Sequence, residues 1–422
     1  MIIEYVASGA AHLRLANRAL PDQPEVQAIV NEFFADLNNK RPGRKFSLLF
    51  NAFVEPDFGK RFLMFKDSLY SIHSDSGGLQ IVTRGDEITD TLKDKIYRTQ
   101  ALYSDIAMCF DEIPVKTIRE SSDRNDTTGR IFDAENLEEL ARKTGRNIKR
   151  QIEIFQEENS SSRPMIIAQG NCYETYNKWI DCLLKEIPSS QRSYIGGVAM
   201  GAAALGTGVL EDIERAVYAV QLAAQIGKSY VHVLGVGSIR RMLPYLALIR
   251  SGYYPKDIHL SYDSTTHTLG ISNGLYYLKD GIKKFKTNYV DIFHDIDKKY
   301  NFSKKGVDVM LFHKLMHANS SYYHDREKDI IDLDKMKEFY YNRVGFATSS
   351  MENFMDKIDE CLSSDKHIIR ISDEIGVVRE IHGLLQVKTL DDFLHWKKIY
   401  GGTVKSKRIG AEESSTLENF FA

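Results

Sequence analysis

Short apolar, β-branched runs that stop abruptly at a polar residue or glycine recur along the middle of this chain. Residues 105–110 end at Asp111-Glu112, 165–168 at Gln169-Gly170, 194–195 at Gly196-Gly197, 230–234 at Gly235-Val236-Gly237, and 258–262 at Asp263. Strands of a parallel sheet, buried on both faces, read as continuous apolar runs of this length. Helical patterns fill the gaps. Ile148, Ile152 and Phe155 recur at helical spacing in 147–158, and a broad apolar face runs through 210–226 before Gly227. Ser238 stands where an N-cap opens a third helix, over 238–249. The strand ends Gln169, Gly197, Gly235 and Asp263 follow one another at intervals of about 30 residues, the length of a β-α unit. An open doubly wound sheet gathers its ligand contacts at one switch point. A barrel collects them from many strand ends. With Asp, Gln, Gly or Asp at end after end, the expected fold is a (β/α)8 TIM-type barrel over residues 1–300.

Beyond 300 the pattern changes, and a C-terminal α+β appendage over 301–422 is expected to pack on the barrel. It reads as amphipathic helices at 335–343 and 351–362, strand-like runs at 368–372 and 377–381, and a tail polar from 412 until Phe420-Phe421. The whole chain has 422 residues, 43% of them hydrophobic, enough for a large core. Lys and Arg number 56 against 58 Asp and Glu, a net charge of −2, so any nucleic-acid contact rests on a local basic patch. Cys109, Cys172, Cys182 and Cys361 form no CxxC pair, which argues against a disulfide framework or a cysteine zinc module. Residues 1–20 lack the pattern of a signal peptide, and the stretch 196–210 is too short to cross a bilayer. A cytoplasmic setting and no membrane partner are expected.

Two acids carry the chemistry. Asp75 opens Asp75-Ser76-Gly77-Gly78-Leu79-Gln80, and Asp263 lies in Ser261-Tyr262-Asp263-Ser264-Thr265-Thr266. An Asp-Ser at a strand end is by itself an ordinary turn former or helix N-cap. A pair of carboxylates at strand ends also suits glycosidic-bond chemistry, one attacking the sugar carbon and the other moving a proton. A free Asp titrates at about 3.9, so the proton-moving acid needs burial or a neighbouring acid to hold a proton near neutrality. Gly77-Gly78 lets backbone come close to a flat ligand.

Taken in order, Asp75-Ser76-Gly77-Gly78-Leu79-Gln80, Cys109-Phe110-Asp111-Glu112, Ile167-Ala168-Gln169-Gly170, Gly196-Gly197-Val198-Ala199-Met200-Gly201, Leu234-Gly235-Val236-Gly237 and Tyr262-Asp263-Ser264 resemble the tRNA-guanine transglycosylase superfamily over residues 70–275. The resemblance implies that Asp263 is the nucleophile on C1′ of the target guanosine and Asp75 the acid/base at the exchanged base. It implies that Asp111 and Gln169 read the base edge, that Ser76, Gly77, Gly78, Gly196, Gly197 and Gly235 line the base, and that Leu79 and Leu234 sandwich it.

Two departures steer the substrate. Relatives acting on tRNA carry a CxCxxC…His zinc site after the nucleophile strand, whereas here no cysteine lies between Cys182 and Cys361. His313, His317 and His324 are a three-histidine remnant or ordinary histidines, so no cofactor or metal is assigned and zinc stays open. The loop 263–274 also contains no Arg or Lys, unlike the anticodon-gripping loop of those relatives. Both losses fit the branch that inserts 7-deazaguanines into DNA, found in phages and bacterial genomic islands. Lys279, Lys283, Lys284 and Lys286 follow the nucleophile as a basic stretch suited to phosphates. Lys298, Lys299, Lys304, Lys305, Arg240-Arg241, Lys397, Lys398, Lys405, Lys407 and Arg408 are further candidates or solvated faces. The expected partners are nucleic acid, with DNA ahead of tRNA, and the free 7-deazaguanine base; a homodimer is left open. A non-catalytic accessory subunit and a barrel hydrolase of free nucleosides are the rivals from other classes.

Overall fold

A computed structural model describes residues 1–8, 24–78, 88–117, 130–201, 209–267, 275–277, 284–286 and 333–400. Eight parallel strands close into a barrel. They are β1 (Ile2–Ser8), β2 (Arg44–Asn51), β3 (Ile72–Asp75), β4 (Ile106–Met108), β7 (Arg163–Ala168), β8 (Gly197–Met200), β9 (Tyr230–Val233) and β10 (His259–Ser264). β1 closes the ring by pairing with both β2 and β10. Two antiparallel hairpins, β5 (Val115–Thr117) with β6 (Arg130–Phe132) and β11 (Leu275–Tyr277) with β12 (Lys284–Lys286), follow β4 and β10. Both leave from the C-terminal ends of barrel strands, the face where barrels of this type build their sites.

Helices cover the outside: α1 (Pro24–Asn39), α2 (Pro56–Phe62), α3 (Asp90–Tyr103), α4 (Leu137–Glu157), α5 (Tyr173–Lys185), α6 (Val209–Gln225) and α7 (Ile239–Ser251). The expected apolar faces are the buried ones, with Ile148, Ile152 and Phe155 of α4 all sealed in the core. The eighth helix is α8 (Leu333–Ser363), 31 residues long, which packs between α1 and α7. The barrel thus draws its last helix from beyond residue 300. Helices α9 (Asp365–Glu374), α10 (Val378–Leu384) and α11 (Leu390–Tyr400) follow, and α11 lays Phe393 against Tyr218 of α6.

The expected β content of the appendage is corrected: among the described residues beyond 332 every element is helical. Residues 335–343 and 351–362 belong to one continuous helix. The run at 368–372 looked strand-like because Ile-Ile-Arg-Ile is β-branched. Ile368 and Ile371, three apart, are the apolar residues that bury, while Ser364 caps α9 by accepting from the His367 N–H. Residues 377–381 likewise enter α10. Among the described residues no helix is long and apolar enough to cross a membrane.

Candidate active site

Four of the expected residues meet at the C-terminal mouth of the barrel. Asp75 is the last residue of β3, held where Asn51 at the end of β2 reaches its Oδ2 through Nδ2 at 3.3 Å. Asn51 also fixes the following loop, accepting through Oδ1 from the N–H groups of Phe53 and Val54. Just past Asp75 the chain turns at Gly77, whose φ of +77° places it in the left-handed region; a Cβ there would also strike Phe53 and Asn51. The turn sets Gly78 beside Asp111, with a Cβ position 3.6 Å from Asp111 Oδ1. Ser76 is buried, and its Oγ has no hydrogen-bond partner among the described residues.

Asp111 stands beyond β4 and is clamped from both sides. Asn147 of α4 donates to the Phe110 carbonyl and to Glu112 Oε1, Thr144 accepts from the Glu112 N–H, and Lys93 of α3 pairs with Glu112 at 3.1 Å. Gln169, following β7, donates through Nε2 to Asp111 Oδ2 at 2.6 Å. On the other wall, Asp263 in β10 accepts from the Gly235 N–H through Oδ1 at 2.7 Å.

Burial and neighbouring acids raise two of these carboxyls. Burial, joined by the charge of Asp263, raises Asp75 to about 6 against the opposing backbone N–H groups of Gly77 and Ser76. Burial raises Asp111 to about 7, with the Gln169 hydrogen bond working against it and the charge of Asp75 adding to it. The sequence demanded a desolvated, acid-crowded setting for a proton-moving Asp75, and this mouth is one.

Other expectations fall elsewhere. Leu234 is half-buried, just past β9 and next to Gly235. The strand placement around Gly196 and Gly197 is corrected. The strand begins at Gly197 instead of ending at 195, so both glycines lie at the N-terminal end of the barrel. Tyr194 sits in a 3-10 turn before the strand. Gly201, some 13 Å further along by strand rise, is the residue of this segment that abuts the Gln169 side chain. Gly197 is glycine for packing: a Cβ would come within 2.2 Å of the Tyr230 carbonyl oxygen, a backbone atom that cannot swing away. Gly197→Ala is therefore expected to destabilise the barrel by about 3 kcal/mol, read from the urea midpoint, and a midpoint equal to the native one would refute this placement.

Arg241 is committed internally, donating to the Gly235 carbonyl and pairing with Asp212, while Lys397 pairs with Glu214. Arg240 is exposed. Lys284 and Lys286 lie on β12. Leu79, Lys279, Lys283, Lys298, Lys299, Lys304, Lys305, Lys405, Lys407, Arg408 and the histidines 313, 317 and 324 lie outside the described residues. Among the described residues no group of three or more His, Cys, Asp or Glu side chains is placed to hold a metal ion.

Three contributors were not anticipated. Asn51 escaped notice because β2 opens with Arg44-Lys45 and did not read as a strand, Gly201 because the strand was placed too early, and His232 because it sits inside an apolar run. Period-2 alternation from Tyr230 would have turned His232 inward. No protein-family model matches the chain, and no curated protein does either.

Proposed function

We propose that the chain is a base-exchange transglycosylase that replaces guanine in DNA with a 7-deazaguanine, preQ0 or a relative, through a covalent glycosyl-aspartate. The observation that carries the reading is the convergence of Asp263, Asp75 and the Asp111–Gln169 pair on one barrel mouth, with Asp75 raised to about 6. Asp263 attacks C1′ while the C1′–N9 bond breaks toward the purine, and Asp75 supplies the proton that the departing guanine takes. The incoming base gives its N9 proton to Asp75, its N9 forms the new bond to C1′, and the Asp263 carboxylate leaves. Two inversions keep the sugar configuration, and the exchange balances without a further reactant. Guanine presents N–H donors at N1 and N2, the complement of an acceptor such as Asp111; a base lacking them leaves the Asp111 oxygen not held by Gln169 unpaired.

DNA is favoured over tRNA because the loop after Asp263 carries no cation and the β11–β12 hairpin that follows carries Lys284 and Lys286. A duplex substrate has to be opened or its target nucleotide flipped to expose C1′. Incubation with labelled 7-deazaguanine and either duplex DNA or tRNA tests this. Label in DNA is the expected result. Label in tRNA alone would overturn the DNA assignment, and turnover of free nucleosides without a polymer would favour the hydrolase.

A further inference from the structure

Beneath the acids the barrel interior is polar, where barrels of this type usually stack apolar layers. Residues two apart on a strand share a face, so Tyr230 and His232 climb one wall, His259, Ser261 and Asp263 the next, and His73 and Asp75 the wall opposite. In the lowest layer the Glu4 carboxylate is satisfied. Glu4 accepts from His73 at 2.9 Å, His259 at 2.7 Å, Tyr230 at 2.9 Å and Ser71 at 2.7 Å, and from Ser47 as well.

The layer above is not. His232 is fully buried, its ring 5.6 Å from that of His73, and its Nδ1 lies 2.8 Å from Ser261 Oγ. Its Nε2 has no hydrogen-bond partner among the described residues, yet it points at the site, 3.4 Å from Asp263 Oδ1. That is the same oxygen that accepts from the Gly235 N–H. Gly235 is itself braced from behind by Arg241, so this donor is fixed.

We infer that His232 is a positioning residue for Asp263: as a neutral imidazole it offers Nε2–H to Oδ1, which together with the Gly235 N–H occupies that oxygen and leaves Oδ2 to attack the sugar carbon. The inference rests on the transglycosylase reading and names a component of that same site. The tautomer follows from the neighbours. Ser261 can donate to His232 Nδ1 at 2.8 Å or to the Val231 carbonyl at 3.4 Å; the shorter bond puts the ring proton on Nε2, facing a carboxylate and not a bare lone pair. Burial lowers the His232 pKa, an effect that the facing carboxylate of Asp263 opposes, with His73 adding to the lowering and Glu4 working against it. When the ester forms through Oδ2, Oδ1 becomes its carbonyl oxygen and keeps both donors. When the ester breaks, the returning charge falls on an oxygen already held, and the 3.4 Å contact shortens.

The test is the rate of covalent adduct formation with a guanine-containing DNA oligonucleotide, measured beside the affinity for free guanine. His232→Leu is expected to slow adduct formation about 100-fold with the guanine Kd unchanged, and His232→Gln, which can still donate, to recover most of the rate. A Leu variant as fast as the native protein, or a rate and affinity that fall together without recovery by Gln, would overturn the inference. If His232→Leu does not fold, Ser261→Ala serves in its place, since it frees Nδ1 to take the proton; a tenfold slower adduct supports the assignment and an unchanged rate refutes it. A native protein that forms no adduct at all would overturn the transglycosylase reading, and this inference with it.

Discussion

Asp263→Asn is expected to abolish adduct formation and base exchange while leaving the barrel folded. The amide is the size of the carboxylate, and its oxygen still accepts from the Gly235 N–H, which lies 2.7 Å from Oδ1 in the native site. The strand around it is held by ladder hydrogen bonds to β1 and β9 that this change does not touch. An amide is no nucleophile at C1′, so the loss should be about 10⁴-fold or more, as when a covalent catalyst loses its attacking group. Denaturing mass spectrometry after incubation with a guanine-containing oligonucleotide reads the result directly, as the mass of the oligonucleotide less guanine added to the native protein and nothing added to the variant. It also reports the sugar, deoxyribose or ribose. An adduct of equal yield on the variant would sink the assignment of Asp263.

The barrel was legible because parallel strands sealed on both faces are rich in apolar residues. β4 is apolar throughout and β7 mostly so, and β9 and β10 keep an apolar residue at every second position, Val231 and Val233, Leu260 and Tyr262. Its first two strands were not, for the converse reason. Glu4 interrupts β1 with a charge that is fully buried, tolerable only because residues from four other places in the barrel satisfy it. Burial alone would raise its carboxyl, yet His73 and His259 hold it well below the usual range. No local pattern announces such a partner set. The displaced glycines have a similar cause. Tyr194-Ile195 followed by two glycines reads as a strand and its end, whereas Gly197 is needed where the Tyr230 backbone crosses close by, a contact between residues 33 positions apart in the chain. The acids fared better because turn chemistry is local: Asp75 with Gly77, and Asp263 at the end of β10, carry their geometry in a few residues. His232 acts through a neighbour on another strand, and short-range pattern does not reveal that.

The raised carboxyls make the site a cost to the fold, and removing one should show it. In the folded chain Asp75 titrates at about 6 and Asp111 at about 7, both above the ordinary value of 3.8. A carboxyl whose pKa is higher in the native than in the unfolded state favours folding while protonated. That contribution is complete below about pH 4 and is lost as pH rises through 6 and 7. These two groups should therefore make the native protein less stable at pH 8 than at pH 5, by about 2 to 4 kcal/mol between them. The figure is smaller than their separate sum because each senses the other. Asp75→Asn, which keeps the shape and removes the charge, should flatten part of that slope and raise the urea midpoint at pH 8. In the same variant, exchange should fall by about 10² to 10⁴-fold for want of a proton donor. In the native protein, adduct formation should decline as pH rises through about 6, because in the proposed reaction it is the protonated form of Asp75 that serves the departing guanine. A variant destabilised equally at pH 5 and pH 8, or a native adduct rate that climbs through pH 6, would show that Asp75 is an ordinary turn residue and that the proton comes from elsewhere.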